Sequence, residues 1–412
     1  MFHHIVSYRR ALVLILCTIL FLEAQADSDI CKICTCNSLT TNINCENRNL
    51  ASIPQPIPTN AEYLNLKNNH ISTINEGVFK GLSNLKKISL TNNKISRVEK
   101  GMFQGLRRLQ TLILWNNNIS TIEEGAFTGL SNLKKLDLDG NKISTLKQGI
   151  FNGLSNLTTL YLGANNISTI KQGIFSRFKN LKILYLKNNK ISNIEKVMFQ
   201  DLHSLETLYL GANNISTIKQ GIFTRFKNLK TLDLRDNYIS TIEECTFTGI
   251  SNLKTLDLDS NKISTLKQGI FNGLSNLTTL YLQDNPIEHY EDGAFLFLPS
   301  IVEIYLPDNN LRCGCHLPAF VNYIKKVYNR TVAVSGTCHE GSGKRISILD
   351  YLQCQNYSLF QRNLQCQTCS GMKCTDLEVT SCPGAEPVCR FSISMNGAKL
   401  KTERSAAHTE MC

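Results

Sequence analysis

Reduced to apolar and polar positions, residues 61–311 repeat one phrase, LxxLxLxxNxI, every 24 residues. Asparagine marks the register at Asn69, Asn93, Asn117, Asn141, Asn165, Asn189, Asn213, Asn237, Asn261, Asn285 and Asn309. Ten residues after each of the first ten stands a phenylalanine: Phe79, Phe103, Phe127, Phe151, Phe175, Phe199, Phe223, Phe247, Phe271 and Phe295. The L-x-L alternation predicts a short strand in each unit with its leucines inward, as at Leu160 and Leu162. Leu157 adds an apolar contact from the preceding corner. Where the chain then turns away, buried backbone groups need partners. Asparagine carries a donor and an acceptor on one short side chain, so it can serve its own coil and a neighbour. Aspartate cannot donate, and a buried column of charge is costly. The phenylalanines are expected to stack as a spine on the wider outer side. One unit cannot bury these faces alone; a stack can.

Near-identical copies support the stack. TLYLGANNISTIKQGIF stands at 159–175 and again at 207–223, and 131–162 recurs at 251–282 with two differences, Lys135 against Thr255 and Gly140 against Ser260. Both differences fall on positions predicted to face the hollow side. This register resembles the leucine-rich repeat family, whose period is about 20–29 residues. The resemblance implies an α/β solenoid: a leucine-rich repeat horseshoe with a parallel concave β-sheet, disulfide-capped at both ends. A small all-β, disulfide-rich C-terminal module would follow.

The first 26 residues read as a removable leader, with Arg9 and Arg10 before the apolar run ALVLILCTILFL and AQA as the cleavage site before Asp27. The run is 12 residues, too short to span a bilayer. The expected location is therefore secreted or on the extracellular cell surface. Of 16 cysteines, Cys17 leaves with the leader, Cys245 stands alone, and the rest form clusters of 4, 4 and 6. Even clusters in a secreted chain point to disulfides. Cys31, Cys34, Cys36 and Cys45, followed by LASIPQPIP, resemble the amino-terminal cap of extracellular leucine-rich repeat proteins, implying Cys31–Cys36 and Cys34–Cys45. LRCGCHLPAFVNYIKK resembles the carboxy-terminal cap, implying Cys313–Cys338 and Cys315–Cys354, with Phe320 alone standing for the aromatic usual shortly after the C-x-C. Zinc on Cys313, Cys315, His316, Cys338 and His339 is the rival, disfavoured in an oxidising compartment. From Leu364 the chain resembles the opening of a three-finger domain of the lymphocyte-antigen and urokinase-receptor family, implying Cys366–Cys389, Cys369–Cys374 and Cys382–Cys412. The later cysteines of that family are missing, so either the module is reduced or the sequence is cut short, the latter being favoured. A lost tail could carry a lipid anchor, which leaves a membrane tether open. The implied order is a signal peptide over 1–26, a cap over 27–60, eleven repeats over 61–312, a cap over 313–354, a linker over 355–363 and a partial three-finger-like domain over 364–412.

Residues between the buried leucines are expected on the concave face. That face would carry Trp115, Asp137, Asp139, Tyr161, Tyr185, Tyr209, Asp233, Arg235, Asp257, Asp259, Tyr281 and Tyr305. Tyrosine and tryptophan on an outward sheet face gain little from folding and are favoured at interfaces; stiffening of the sheet by cross-strand stacking is the alternative use. Strands spaced ~4.8 Å apart give a face about 50 Å long and roughly 600–750 Å² in area, close to the ~800 Å² per partner of a standard interface. The ligand expected there is a protein or glycan, as in the variable lymphocyte receptors of jawless vertebrates and the Slit-type proteins that the chain resembles. Net charge is +11, and Lys171, Arg177, Lys179 and Lys182 fall off the sheet. A sulfated glycan or anionic lipid is their candidate partner, and a solvated charged face is the simpler use. An extracellular-matrix protein binding polyanions through this outer face is the second functional class. Sequons at Asn118, Asn156, Asn166, Asn214, Asn276, Asn329 and Asn356 suit the secretory route, and sugars at Asn166 and Asn214 would crowd one rim. Cys245 replaces a glycine of its column and reads as a shielded thiol or a recent mutation ahead of an intermolecular disulfide. No enzyme is expected: six scattered histidines remain after the leader, and GSGK at 341–344 lacks the flanks of a phosphate loop. No cofactor, metal or nucleic acid is expected either.

Overall fold

The computed structural model describes residues 29–291, 293–308, 311–312, 316–339, 345–348, 390–392 and 401–403. Two compact units divide the chain, Met1–Lys142 with Ile150–Leu154, and Ile143–Gly149 with Ser155–Cys412.

The first unit begins with helix α1 (Asp29–Ile33) and strands β1 (Thr35–Cys36) and β2 (Asn42–Asn44), an antiparallel pair. Disulfides Cys31–Cys36 and Cys34–Cys45 tie this cap together, and Ile30, Ile43 and Cys45 fill it. From β2 the sheet turns parallel, through β3 (Tyr63–Asn65), β4 (Lys87–Ser89), β5 (Thr111–Ile113) and β6 (Lys135–Asp137). The cap therefore covers the sheet's first edge and presents it with a strand of matching register, which leaves no parallel edge open at that end.

The second unit repeats the arrangement. Strands β7 (Thr159–Tyr161), β8 (Ile183–Tyr185), β9 (Thr207–Tyr209), β10 (Thr231–Asp233), β11 (Thr255–Asp257), β12 (Thr279–Tyr281) and β13 (Glu303–Tyr305) pair in parallel, each with the next. Strand β14 (Ala333–Ser335) closes the row against β13. Helix α2 (His316–Tyr328) precedes it and buries Leu317, Phe320 and Ile324, a helical stripe of apolar residues. Phe320 thus serves the core of this end. Cys338 is disulfide-bonded, whereas Cys313, Cys315, Cys354 and the six cysteines from Cys366 onward lie outside the described residues, as do Asn309 and the sequon at Asn356.

The asparagine seam behaves as its chemistry dictates. Asn189 Nδ2 donates to the carbonyl of Leu186 at 3.1 Å in its own coil and to that of Leu162 at 2.9 Å in the coil before, while its Oδ1 accepts the Ile167 N–H at 2.9 Å. The same triad recurs at Asn93, Asn117, Asn213, Asn237, Asn261 and Asn285, all buried. The residue before each seam asparagine from Asn69 to Asn285 takes positive φ, at Asn188 (62°), Ala212 (51°) and Asp236 (55°) for example. Glycine, asparagine and aspartate suit that turn; Ala164 and Ala212 hold it at a cost.

The phenylalanine spine is stacked, with centroids 6.0 Å apart for Phe79–Phe103, 6.2 Å for Phe223–Phe247 and 6.5 Å for Phe247–Phe271. The second unit adds two rings outside the expected column. Phe178 packs on Phe175 at 6.0 Å, and Phe226 lies 5.8 Å from Phe199 and 6.2 Å from Phe223. Both replace the leucine of their column and thicken the spine. A second ladder runs along the outer turns, where Asn228 Nδ2 reaches the His203 carbonyl at 3.0 Å and Asn252 the Lys227 carbonyl at 2.8 Å. Close approach fixes Gly273: a Cβ there would stand 2.7 Å from the Phe247 carbonyl oxygen.

Cys245 departs from the thiol expected of it. It is disulfide-bonded, half-buried, and sits at φ 55°, in the left-handed turn that glycine holds in other coils. A β-carbon in that region is strained, and the covalent bond is what its retention brings.

Candidate functional site

From β3 to β13, each three-residue strand buries its central apolar side chain and turns its two flanking residues outward. The outward side chains form one face in each unit. In the first, Trp115 is 45% exposed, and Asp137 and Asp139 are half-buried. In the second, Tyr161, Tyr185, Tyr209, Arg235, Asp257, Asp259, Tyr281 and Tyr305 are half-buried.

The tyrosines lean on one another. Centroids are 5.7 Å apart for Tyr161–Tyr185, 4.7 Å for Tyr185–Tyr209 and 4.7 Å for Tyr281–Tyr305, the last pair within 9° of parallel. They are thus neither bare nor in the core: parallel register at ~4.8 Å spacing makes each ring shield one side of the next. Stacking and an outward edge coexist.

The acidic positions follow a local rule. A carboxylate at the last strand position folds back on the backbone two residues on: Asp137 accepts the Asp139 N–H at 3.3 Å, Asp233 the Arg235 N–H at 3.1 Å, and Asp257 the Asp259 N–H at 3.1 Å. Asp259 accepts the Gln283 N–H of the next coil at 2.7 Å. Burial raises the pKa of Asp137, Asp233 and Asp257 above the ordinary carboxylate value, against the pull of those hydrogen bonds. Asp259 is pushed up to about 6, by burial first and by the neighbouring Asp257 second.

Asp233 corrects the expectation of an exposed contact. It is only 3% exposed, because Arg235 folds over it with Nε 3.3 Å from its carboxylate; the same Nε lies 3.9 Å from Asp257. The alternation rule fixes which side a residue leaves the sheet, not what a long neighbour then covers. Gly140 sits beside Trp115, since a Cβ there would meet the indole Nε1 at 3.3 Å; Ser260 holds the matching left-handed turn.

The outer face keeps Lys171, Arg177 and Lys179 exposed. Lys182 belongs elsewhere: with Lys230 it flanks Glu206, at 2.9 and 2.7 Å, and the two cations hold that carboxyl at about 2. This ladder is missing from the sequence reading, although charges of opposite sign 24 residues apart are its signal. Tyr238 is a second omission, 55% exposed in a column otherwise held by residues such as Lys190, Asn214 and Lys262. Asn156, Asn166, Asn214 and Asn329 are exposed, and Asn118 and Asn276 are half-buried. Among the described residues no group of three His, Cys, Asp or Glu could hold a metal ion, and no helix is long and apolar enough to cross a membrane.

One-sided parallel sheets, an asparagine seam and a phenylalanine spine, all at a 24-residue period, define a leucine-rich solenoid whose most chemically varied surface is its sheet face. The chain belongs to the leucine rich repeat family, which matches residues 59–114, 107–167, 155–215, 204–263 and 251–311. Among curated proteins it is similar to Leucine-rich repeat-containing protein 4 of Rattus norvegicus, 37% identical over 82 residues, 20% of this chain and 13% of that protein. Leucine-rich repeat-containing protein 4B of Mus musculus is 40% identical over 53 residues, 13% of this chain and 8% of that protein. The match therefore spans about an eighth of these relatives or less. Among solved structures, a chain of the octameric complex of Latrophilin 3, Unc5D and FLRT2 shares the fold, with a TM-score of 0.55 and 22% identity over 77% of this chain and 96% of that one. A chain of the TLR13–ssRNA13 complex aligns at a TM-score of 0.44 and 27% identity, over 61% of this chain and 33% of that one.

Proposed function

We propose that this is an extracellular, non-enzymatic recognition and adhesion protein that holds a protein or glycan partner on its sheet face. The contact residues are Trp115, Asp137, Asp139, Tyr161, Tyr185, Tyr209, Arg235, Asp257, Asp259, Tyr281 and Tyr305, with Asp233 acting beneath Arg235 as its anchor. One observation carries the reading: buried leucines, isoleucines and phenylalanines complete the core without help from the sheet's outward residues, yet that face is furnished with tyrosines and a half-exposed tryptophan. Disulfides in the amino-terminal cap suit a chain that matures through an oxidising route. The similarity to Leucine-rich repeat-containing proteins 4 and 4B, and the fold shared with a chain of the octameric complex of Latrophilin 3, Unc5D and FLRT2, suit the same reading. The carboxy-terminal cap, the three-finger-like module over 364–412 and sugars at the seven sequons complete the proposal.

The test selects binders to the secreted chain from a displayed library of extracellular domains, then measures them against a variant with Trp115, Tyr161, Tyr185 and Tyr209 exchanged for alanine. Affinity falls at least about 100-fold if the aromatics are central contacts. Unchanged affinity in a folded variant removes the sheet face as the site. The matrix reading rests on the exposed Lys171, Arg177 and Lys179. It predicts heparin retention that vanishes steeply with salt and ignores sheet-face exchanges.

A further inference from the structure

The sheet face of the second unit is charged opposite to the chain that carries it. Net charge is +11 overall, yet strands β10 to β12 and the turns after them carry Asp233, Asp236, Asp257, Asp259 and Asp284 against the single cation Arg235. That arginine is committed to Asp233 and Asp257. Among the described residues Asp259 has no ion-pair partner; its carboxylate accepts the Gln283 N–H through Oδ1. Next to this charge lies an aromatic platform: register pairs Asp257 with Tyr281 and Tyr281 with Tyr305, and the two rings are nearly parallel at 4.7 Å.

We propose that Asp257 and Asp259, with Tyr281 and Tyr305, form a docking surface for a basic segment of the protein partner, seating a lysine or arginine between the carboxylates and the rings. The proposal rests on the sheet-face reading above and names the chemistry of what that face takes. Three arguments carry it. Charge complementarity selects a cation, because an anionic or neutral segment leaves the half-buried Asp259 carboxylate without a counter-charge and Asp257 with only the share of Arg235 that Asp233 does not take. The rings add to it, since a cation over a tyrosine face within about 6 Å is attracted by the ring quadrupole, more so where water is thinned. Recurrence is the third: in the first unit the exposed Trp115 adjoins a coil carrying Asp137 and Asp139, joined through the Asn116 N–H to the Asp139 carbonyl at 3.0 Å. An aromatic beside paired acids thus appears twice, on separate units, within the outward columns only.

The test uses the secreted full chain and two probes, nona-arginine and nona-glutamate peptides, in calorimetry at neutral pH and near-physiological salt. Wild type binds nona-arginine on this face; the Asp257→Asn/Asp259→Asn variant weakens that binding at least roughly tenfold, and Tyr281→Ala/Tyr305→Ala weakens it about fivefold. Asparagine keeps the oxygens that accept the Asp259 and Gln283 N–H groups, so the turn is preserved. Nona-arginine binding that is absent in wild type, or equal in wild type and the asparagine variant, overturns the proposal. Nona-glutamate, drawn to the outer lysines, is unaffected by these exchanges; a matching loss would mark a general collapse of the face and also count against it. The exchanges leave Trp115, Tyr161, Tyr185 and Tyr209 in place, so failure here and failure of the sheet-face reading show in different variants.

Discussion

Asn189 and Asp259 show two opposite uses of a polar side chain. Asn189 serves two carbonyls of adjacent coils and one N–H, all buried; Asn189→Ala orphans the Ile167 N–H and strips one of two amide donors from each carbonyl, since Leu162 keeps Asn165 and Leu186 keeps Asn213. A loss of about 3 kcal/mol is expected in urea unfolding, and Asn189→Asp should cost a similar amount because it loses both donors and buries a charge. Asp259 instead costs stability. Its pKa is about 6 in the fold against an ordinary 3.8, so the folded state binds its proton more tightly than the unfolded chain does. Stability from this group therefore rises as pH falls from about 6 toward 4, and it is a penalty at neutral pH. The charged groups facing it are Asp257 and Asp284, which raise the value, and Arg235, which lowers it. Asp259→Asn is expected to raise the unfolding midpoint by about 1–2 °C at neutral pH, after discounting for solvent screening, and to change nothing near pH ~4. A lower midpoint at neutral pH would contradict the penalty. Glu206 runs the other way: held near 2 by Lys230 and Lys182, its contribution is present above 4.5 and lost as pH falls toward 2. A residue whose removal stabilises the fold is a natural place to look for function.

At the scale of the element, one coil contributes a strand, a seam asparagine and a spine ring, and only the strand's outward side chains are free of that scaffold. Phe199→Ala opens a hole between Phe175 and Phe226 and should cost about 3–5 kcal/mol in denaturant unfolding. Tyr185→Ala loses two partial stacks on the open side and should cost about 1 kcal/mol. Equal costs would mean that the tyrosines belong to the core after all. Much of this was legible in the sequence, because a strict 24-residue period names the strand, seam and spine columns without coordinates. What escaped it has a common cause. Phe178 and Phe226 stand in a leucine column, where an apolar-for-apolar exchange hides which ring will stack. Asp233 leaves the sheet on the expected side but is roofed by Arg235, a cover that depends on a rotamer. Cys245 broke its column visibly, yet nothing local announced its disulfide. Period fixes columns; it does not fix what neighbours in a column do to each other.

For the molecule, the consequence is a division of labour. Interior columns are interchangeable, which is why segments such as 159–175 and 207–223 can be copied without loss, while the outward columns vary between aromatic, acidic and small residues. Variation confined to one face of a repeated scaffold is the arrangement expected of a recognition surface. Footprinting by hydroxyl radicals, read by mass spectrometry with and without a partner selected on the secreted chain, tests this most directly. Oxidation of Trp115, Tyr185 and Tyr209 should fall several-fold on binding while the outward-turn residues around Lys171 and Lys179 stay unchanged. Protection of the outer turns with the three aromatics still freely oxidised would contradict the account.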